Sequence, residues 1–430
     1  MPAANIPGIA EPAPVTVVED WAAAYAALAA ALPAIAATAR PVIAGFSAFV
    51  DALVPLEQAD ALFADGAPAE TRQLGLELAR RAKAGIGGEI GLPWPDGDAF
   101  LGATLPHVTR VGGTSAQIAN VLAPLGVDVL LALADRSAAQ LGVLDRDVML
   151  AEGEALSQVG LVATGGSAKP RHWIFETTAG SVIRGETVRR STRVIVRLAD
   201  DGPERDAAFA PASARLAERA GAAVLSSLVS TPDDQIDQAI AMVADLARRW
   251  RAAGLPLIHQ ELADYGSRPA LPKKLLSALR GTVTSVGMSL SEWRTLSSGA
   301  ALTDTDALRR FAERWALDRV AVHADEWAMA VTRGDPARER AALMTGCLLA
   351  SARAGCGRHE LPVHCPVDAR FEPLPAFAPL ADGWSVVACP APYLPSPKST
   401  IGLGDTFVAG CLLVLGQPAP DISPTLETDP

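Results

Sequence analysis

The chain alternates between short apolar runs and longer stretches whose apolar positions recur with helical spacing. Runs of the first kind are typical of strands buried on both faces, and stretches of the second kind are typical of the helices that cover such a sheet. The runs that predict strands are 41–46, 127–133, 222–228, 255–262, 282–288, 319–323 and 384–389. The stretches that predict helices are 20–39, 114–123, 234–252, 304–315, 336–354 and 407–415. This order predicts an α/β fold with a mostly parallel sheet.

Two stretches break this alternation. Residues 53–107 contain a helical pattern followed by a Gly/Pro-rich piece, and residues 169–198 contain several strand patterns in succession. Strands that follow one another without helices predict a small β-rich lid domain, inserted twice from the main sheet. The predicted domains are an N-terminal tail and helix (1–40), a large discontinuous nucleotide-binding domain (41–52, 108–168 and 199–430), and the lid (53–107 and 169–198). Residues 1–19 are Pro/Ala-rich, which predicts a loose tail.

Composition narrows the function classes. The chain has 430 residues and a net charge of −11, which disfavours nucleic-acid or anionic-membrane partners. No apolar run reaches the length of a membrane span, and the first residues lack the pattern of a signal peptide. The five scattered cysteines indicate reduced thiols, and zinc bound by Cys356, His359, His364 and Cys365 is disfavoured by its spacing. We expect a cytoplasmic monomer or small homo-oligomer with small-molecule partners.

The segment Lys398–Phe407 carries the clearest chemical signal. Glycines at 402 and 404 let backbone N–H groups face a ligand at the start of an apolar helix, where unpaired N–H groups and the helix dipole favour anions. Asp405 in such an anion hole suits a base that takes a proton from an attacking hydroxyl. The alternative is a Gly-rich turn in which Asp405 caps the helix.

Acceptor candidates follow the first predicted strand and a Gly-Gly turn. Asp51 comes just past that strand, at the edge where α/β sheets bind ligands, and its carboxylate can accept hydrogen bonds from sugar hydroxyls. The alternative role for Asp51 is a helix N-cap. The turn at Gly112 and Gly113 lets backbone approach a ligand, although it is equally natural as a helix start with Thr114 as its cap.

Carboxylates after two further strands predict a metal site. Strand alternation sends His259 and Glu261 to the same side, where they can position waters around Mg²⁺, an ion that prefers oxygen ligands. Glu292 follows the next strand and can serve the same ion. The alternatives are a polar strand end for the first pair and a capping box, Ser-x-x-Glu, for Glu292.

The order of these segments resembles the ADP-dependent glucokinase and phosphofructokinase family, within the ribokinase-like superfamily. The matching segments are 41–51, 110–113, 174–176, 193–195, 259–261, 285–292 and 398–406. The resemblance implies a ribokinase-like three-layer α/β/α sandwich with a smaller β-rich lid. It also implies an ADP-dependent carbohydrate kinase of glycolysis that uses Mg²⁺.

The resemblance also implies a role for each matching residue. The catalytic base would be Asp405, in an anion hole formed by Gly402, Leu403 and Gly404. Sugar would be bound by Asp51, Glu89, Gly112 and Gly113. The nucleotide would be bound by Arg193, His323 and Thr400. Mg²⁺ and its waters would be held by Glu261 and Glu292.

The sequence departs from the family pattern at three positions, where Thr114, Thr192 and Ser289 replace amide side chains. Three interpretations stay open. The first is a Mg²⁺-dependent kinase that phosphorylates glucose or fructose 6-phosphate with ADP. The second is the same scaffold with ATP as donor, or with another sugar or a nucleoside as acceptor. The third is a non-catalytic sugar- or nucleotide-binding protein.

Overall fold

The computed structural model describes residues 20–418, apart from 65, 167, 200–201, 267, 300 and 302. The predicted tail at 1–19 lies outside the described residues. The strands are β1 Val42–Gly45, β2 Phe49–Pro55, β3 Gly88–Gly91, β4 Val108–Gly112, β5 Val129–Leu131, β6 Met149–Glu152, β7 Ala155–Gln158, β8 His172–Thr177, β9 Val182–Ile183, β10 Glu186–Thr187, β11 Thr192–Arg197, β12 Ala222–Leu225, β13 Leu257–Glu261, β14 Ser285–Ser289, β15 Arg319–His323, β16 Trp327–Thr332 and β17 Ser385–Pro390. The α-helices are α1 Trp21–Ala37, α2 Ala69–Ala84, α3 Gly97–Thr104, α4 Thr114–Leu122, α5 Ala138–Leu141, α6 Phe209–Leu216, α7 Ile236–Ala252, α8 Leu271–Leu279, α9 Leu290–Leu296, α10 Thr305–Trp315, α11 Pro336–Cys356 and α12 Leu403–Leu415.

The larger sheet has the strand order β17-β16-β15-β14-β13-β12-β1-β5-β6-β7. Its centre, from β15 through β1 to β6, is parallel, and antiparallel strands extend it at both ends. The central strands are buried on both faces, which explains their near-continuous apolar sequences. The predicted, mostly parallel sheet is therefore confirmed.

Helices cover both faces of the larger sheet and make three layers. On one face, α6 to α10 pack around Trp250, Leu276 and Trp293. On the other face, α1, α4, α11 and α12 pack around Tyr25 and Leu348. Burial of these apolar faces is the main favourable contribution to folding. The α/β/α sandwich that the sequence predicts is therefore confirmed.

The smaller sheet has five strands in the order β3-β11-β8-β2-β4. Alternate residues of β8 and β11, such as Trp173, Phe175 and Val196, pack on α2 and α3 in a separate apolar core. The residues between them, such as Glu176 and Arg193, lie on the opposite face. This second face is directed toward the large domain, where Glu176 contacts Ser399 and Thr400, and the cleft lies between the two.

Two predicted boundaries are wrong, because the smaller sheet recruits more of the chain than 53–107 and 169–198. β2 spans 49–55 and β4 spans 108–112, so each reaches into a segment expected in the large domain. Asp51 was expected just past the first strand of the main sheet, or as a helix cap. It lies instead within β2, opposite Arg110 and His172. The pattern ended the first strand close to its observed end but did not show that residues 49–55 form a second strand, because hydrophobicity alone does not tell which sheet a buried segment joins.

Helix α12 begins one turn earlier than predicted. It starts at Leu403 rather than at residue 407, with Gly402 as its N-cap. Asp405 is therefore the third residue of the helix, and its alternative role as the N-cap is wrong. Similarly, Gly113 caps α4, and the expected cap, Thr114, is the first helical residue. The pattern placed the start of α12 wrongly because polar and glycine residues are common in first turns, whereas it placed the start of α4 correctly at residue 114.

Candidate active site

The start of α12 forms an anion-binding turn. Gly402 has a φ of +66°, which a glycine adopts without strain. The backbone N–H of Thr406 bonds to the Gly402 carbonyl at 3.0 Å, so the helical ladder begins there. The N–H groups of Leu403, Gly404 and Asp405 precede that ladder and lack intrahelical acceptors. This turn can receive a negatively charged group such as a phosphate.

Asp405 is half-buried in the first turn of α12. Burial raises the pKa of its carboxyl, and the charge of Glu261 adds to that effect. A hydrogen bond with Thr114 and the positive charges of Arg353 and Arg193 act in the opposite direction. A carboxylate whose pKa is raised is a stronger base once ionised, which suits proton abstraction from a hydroxyl.

Asp51 lies on the same cleft, with only 4% of its surface exposed. Burial, and then the charge of Asp405, raise the pKa of Asp51 to about 8. Because the charge of Asp405 acts on Asp51, these two carboxyl groups lie near each other. Gly112 leaves the space that Asp51 occupies, because a Cβ at 112 would be 1.9 Å from the Asp51 Oδ1. The Gly-Gly turn therefore packs directly against this carboxyl.

The second glycine of that turn and Glu89 complete the wall around Asp51. Gly113 has a φ of +84°, and a Cβ there would be 2.8 Å from the backbone of Ser47. Glu89 lies in β3, where its Oε2 is 3.3 Å from the Arg197 Nε. Burial raises the pKa of Glu89, and its charge in turn raises that of Asp51. All of the predicted sugar-binding residues thus lie on one side of the cleft.

Arg193 projects from β11 toward these carboxyl groups. Its positive charge lowers the pKa of both Asp51 and Asp405, so its guanidinium lies close enough to act on both carboxyl groups. Its Nε is buried and has no hydrogen-bond partner among the described residues. A buried donor without a partner is costly, and an anionic ligand would satisfy it. This geometry fits the phosphate contact that the sequence predicts.

A side chain of the smaller sheet reaches the anion-binding turn. The Glu176 Oε1 accepts hydrogen bonds from the Ser399 hydroxyl at 3.2 Å, the Thr400 backbone N–H at 3.2 Å and the Thr400 hydroxyl at 3.5 Å. A second contact joins Arg190 and Asp325 at 2.8 Å. Neither contact is predicted by the sequence. Because Thr400 is engaged by Glu176, its nucleotide-binding role stays a prediction.

Glu261 is held between two histidines at the carboxyl end of the sheet. His259 lies 2.9 Å from the Glu261 Oε2 and bonds to the Ser285 hydroxyl at 2.8 Å, while His323 lies 3.6 Å from Oε1. Burial alone would raise the pKa of Glu261, but these two histidines outweigh it and the pKa is lowered. His323 also borders the turn, since a Cβ on Gly404 would be 3.1 Å from its Cε1.

Glu292 forms the capping box that the sequence offered as its alternative role. Its Oε2 accepts the Ser289 backbone N–H at 2.7 Å, and the Ser289 hydroxyl accepts the Glu292 N–H at 3.3 Å. The departure at Ser289 thus caps a helix. Burial, followed by the charge of Glu261, raises the pKa of Glu292. Glu292 therefore lies close enough to Glu261 for their charges to interact.

The donor chemistry fits Mg²⁺ held mainly through water and phosphate. Both oxygens of Glu261 face histidines, and one oxygen of Glu292 serves the capping box. Within the described parts of the chain, no group of three or more His, Cys, Asp or Glu residues could hold a metal directly. Mg²⁺ usually keeps several waters and binds through few carboxylates and the substrate phosphates. The two glutamates suit contacts with those waters.

The residue that sequence reasoning missed most clearly is Arg353. It lies near the end of α11, is 6% exposed, and its Nη1 contacts Gly402 and Thr406 at the anion-binding turn. A buried arginine within an otherwise amphipathic helix carries little local signal. A carboxylate-lined cleft that includes an anion-binding helix start and buried arginines has the arrangement of a phosphotransferase active site.

Comparison with known proteins places the chain within this class. Residues 70–414 match the ADP-specific Phosphofructokinase/Glucokinase conserved region, so the chain belongs to this family. No curated protein matches it. The family assignment agrees with the resemblance that the sequence motifs indicated, and it makes the protein a kinase of the ADP-dependent sugar kinase family.

Solved structures share the fold at low sequence identity. A hypothetical ADP-dependent phosphofructokinase from Pyrococcus horikoshii OT3 has 18% identity and a TM-score of 0.69, covering 88% of this chain and 98% of that one. An ADP-dependent kinase in complex with fructose-6-phosphate and ADPβS has 17% identity and a TM-score of 0.74, with coverage of 93% and 99%. The last common ancestor of ADP-dependent phosphofructokinases from Methanosarcinales has 17% identity and a TM-score of 0.69, with coverage of 93% and 99%.

Two further observations concern features that composition raised. Across the described part of the chain, none of the helices combines the length and apolar character needed to cross a membrane. All five cysteines are free thiols; three are buried, one is partly buried and one is exposed.

Proposed function

We propose that the protein is a Mg²⁺-dependent kinase that transfers a phosphoryl group from ADP to a hydroxyl of glucose or fructose 6-phosphate, with Asp405 as general base. The observation that carries the proposal is the position of Asp405. It stands in the first turn of α12, where unpaired N–H groups receive an anion, and its charge raises the pKa of Asp51 across the cleft. A base between an anion site and a hydroxyl-binding carboxyl is what phosphoryl transfer requires.

Each side chain has one task in this mechanism. Asp51, with Glu89 and the backbone at Gly112, binds the acceptor hydroxyls. Asp405 removes the proton from the attacking hydroxyl as the new O–P bond forms. The N–H groups of the turn from Gly402 to Gly404 and the guanidinium of Arg193 stabilise the charge on the transferred group. Mg²⁺, when bound through water near Glu261 and Glu292, would neutralise negative charge on the donor phosphates.

We further propose that the smaller sheet acts as a lid. Phosphoryl transfer must exclude water, or the donor is hydrolysed. The contact of Glu176 with the anion-binding turn, and the pair formed by Arg190 and Asp325, both join the smaller sheet to the large domain. We expect these contacts to exchange as nucleotide enters and the lid opens and closes.

The two proposed acceptors differ in that glucose is a free sugar and fructose 6-phosphate already carries a phosphate. Several lid cations that could meet a sugar phosphate are engaged elsewhere: Arg171 pairs with Asp98 at 2.8 Å, and Arg184 lies over the Phe63 ring at 4.8 Å. A solved relative of the same fold was crystallised with fructose-6-phosphate and ADPβS, and another with AMP. Those ligands support a sugar and an adenine nucleotide as the first compounds to test.

Parallel titration with ADP and ATP over a panel of sugars and nucleosides tests the proposal. We expect the enzyme to phosphorylate glucose or fructose 6-phosphate when ADP and Mg²⁺ are supplied. With ATP as the donor we expect little product. Faster turnover with ATP, or with a nucleoside acceptor, would favour the alternative kinase. Tight binding of sugar and nucleotide without any product would favour a non-catalytic binding protein.

A further inference from the structure

One buried cation joins three parts of the candidate site. The Arg353 Nη1 lies 2.8 Å from the Gln117 Oε1 in α4, 3.0 Å from the Thr406 hydroxyl and 3.3 Å from the Gly402 carbonyl in the α12 turn. It also lies 3.2 Å from the His359 Nε2, in the loop after α11. A single guanidinium therefore fixes the turn relative to the helix that follows the Gly-Gly segment.

The anion-binding turn is built around this guanidinium. A Cβ at position 402 would lie 2.7 Å from both terminal nitrogens of Arg353, so only glycine fits there. The Gly402 carbonyl points to Arg353 and also accepts the Thr406 hydroxyl at 2.7 Å. With its carbonyl held inward, the turn is oriented so that the N–H groups that follow can face the cleft.

Arg353 also contributes charge. Its burial lowers the pKa of the guanidinium to about 10, while Asp405 and Asp51 act in the opposite direction. Arg353 is therefore a cation at neutral pH. Reciprocally, its charge lowers the pKa of both carboxyl groups, against the burial that raises them.

We propose that Arg353 is a positioning residue for phosphoryl transfer, holding the Gly402 turn in its anion-binding form and adding a buried positive charge behind that turn. This inference rests on the proposed kinase function. Arg353 lies behind the turn and acts through Gly402, Thr406 and Asp405. It differs in this respect from Arg193, which belongs to β11 of the smaller sheet.

The groups that interact with Asp405 come from several elements. Those that change the pKa of Asp405 are Thr114 from α4, Glu261 from β13, Arg193 from β11 and Arg353 from α11. The charge of Asp405 in turn raises the pKa of Asp51 in β2 and of His323 in β15. Burial and the charge of Glu261 raise the pKa of Asp405, and the Arg353 charge is one of the two cations that lower it. When the Arg353 charge is lost, the pH at which Asp405 becomes ionised should therefore rise.

Two substitutions separate geometry from charge, and a third is a matched control. Arg353→Met removes charge and hydrogen bonds at similar length, whereas Arg353→Lys keeps the charge but loses the planar fork. Arg338→Met removes another arginine of α11, whose Nη2 donates to the Val414 and Leu415 carbonyls at 3.2 and 2.7 Å, at the far end of α12. For each protein we would measure kcat and KM against pH, together with thermal unfolding.

We expect Arg353→Met to lower kcat by at least about tenfold with a smaller change in sugar KM, and to move the acid limb of the kcat profile up by about one pH unit. Arg353→Lys should lower kcat several-fold and leave the acid limb near its wild-type position. Arg338→Met should lower the unfolding temperature without changing either quantity.

A folded Arg353→Met enzyme with wild-type kcat and an unmoved acid limb would overturn the inference. If that variant does not fold, Arg353→Lys decides, because unchanged kcat there would show that the fork geometry does not matter. If the wild type is active and the Arg353 variants have the same kcat and acid limb, the role of Arg353 is contradicted but the proposed function is not. A wild type that is inactive with every donor and acceptor contradicts the proposed function, and the inference falls with it.

Discussion

The Glu176 Oε1 accepts the backbone N–H of Thr400 at 3.2 Å, so a carboxylate of the smaller sheet touches the segment that precedes α12. The contact spans two sheets and 224 residues of sequence. Hydrogen bonds to a charged acceptor are among the stronger ones in proteins. This pair therefore links the position of the smaller sheet to the conformation of the anion-binding turn.

Replacing Glu176 with alanine should loosen the lid. We expect the ligand-free variant to have a larger radius of gyration by small-angle scattering than the wild type, with nucleotide KM raised more than sugar KM. Glu186→Ala is the matched control, since Glu186 is an exposed lid carboxylate that pairs with Lys83 within the lid. Identical scattering for Glu176→Ala and the wild type would argue against a lid held by this contact.

The buried carboxyl of Asp51 should lower the free energy of unfolding at neutral and alkaline pH. Burial and the charge of Asp405 raise its pKa from 3.8 to about 8, so the folded protein keeps this proton in a pH range where the unfolded chain has lost it. Stability linked to this carboxyl is thus greatest below about pH 4 and is lost as the pH rises to about 8.

Asp51→Asn should therefore be more stable than the wild type, by about 1 to 3 kcal/mol at pH 8, with a smaller gain at pH 5. Denaturant unfolding at both pH values without ligand measures the difference. Asp245→Asn, at a partly exposed position of α7, is the control and should show no such trend.

The same Asp51 variant should lose sugar binding while nucleotide binding, followed by calorimetry, stays close to wild type. A collapse of nucleotide affinity with intact sugar affinity would mean that the acceptor pocket is misplaced.

Arg193→Ala should reduce turnover more than sugar affinity. Its buried Nε has no hydrogen-bond partner among the described residues, and its charge acts on both Asp51 and Asp405. A cation that meets the transferring group stabilises the transition state more than the bound sugar. We expect kcat to fall by about 10²-fold or more with a sugar KM within a few-fold of wild type. A rise in KM at constant kcat would instead assign Arg193 to sugar binding.

Local sequence patterns predicted seven of the ten strands of the larger sheet, because those strands are apolar runs, but they did not predict β6, β7 and β16. The run at 319–323 coincides with β15, Arg319–His323, and the pattern at 114–123 nearly coincides with α4. Residues at strand ends and helix starts, such as Glu261 and Asp405, were also placed at the correct sheet edge, since parallel strands bring their carboxyl ends together.

The parts that the sequence did not predict depend on contacts between distant segments. Asp51 was assigned to the wrong sheet because the pattern did not show that Phe49–Pro55 is a second strand, paired in another sheet. The contacts of Glu176 and Arg353 with residues near 400 also carry no local signal. An arginine in a helix pattern indicates its face of the helix, but not which carbonyl groups lie opposite it.

The substitution Asp405→Asn tests the central claim most directly. Asparagine has nearly the same shape and cannot accept the hydroxyl proton, so we predict that kcat with ADP and the preferred sugar falls by about 10²- to 10⁴-fold. Nucleotide affinity by calorimetry and the unfolding temperature should stay close to wild type. A folded Asp405→Asn enzyme that keeps more than about a third of wild-type kcat would contradict the role of Asp405 as the general base.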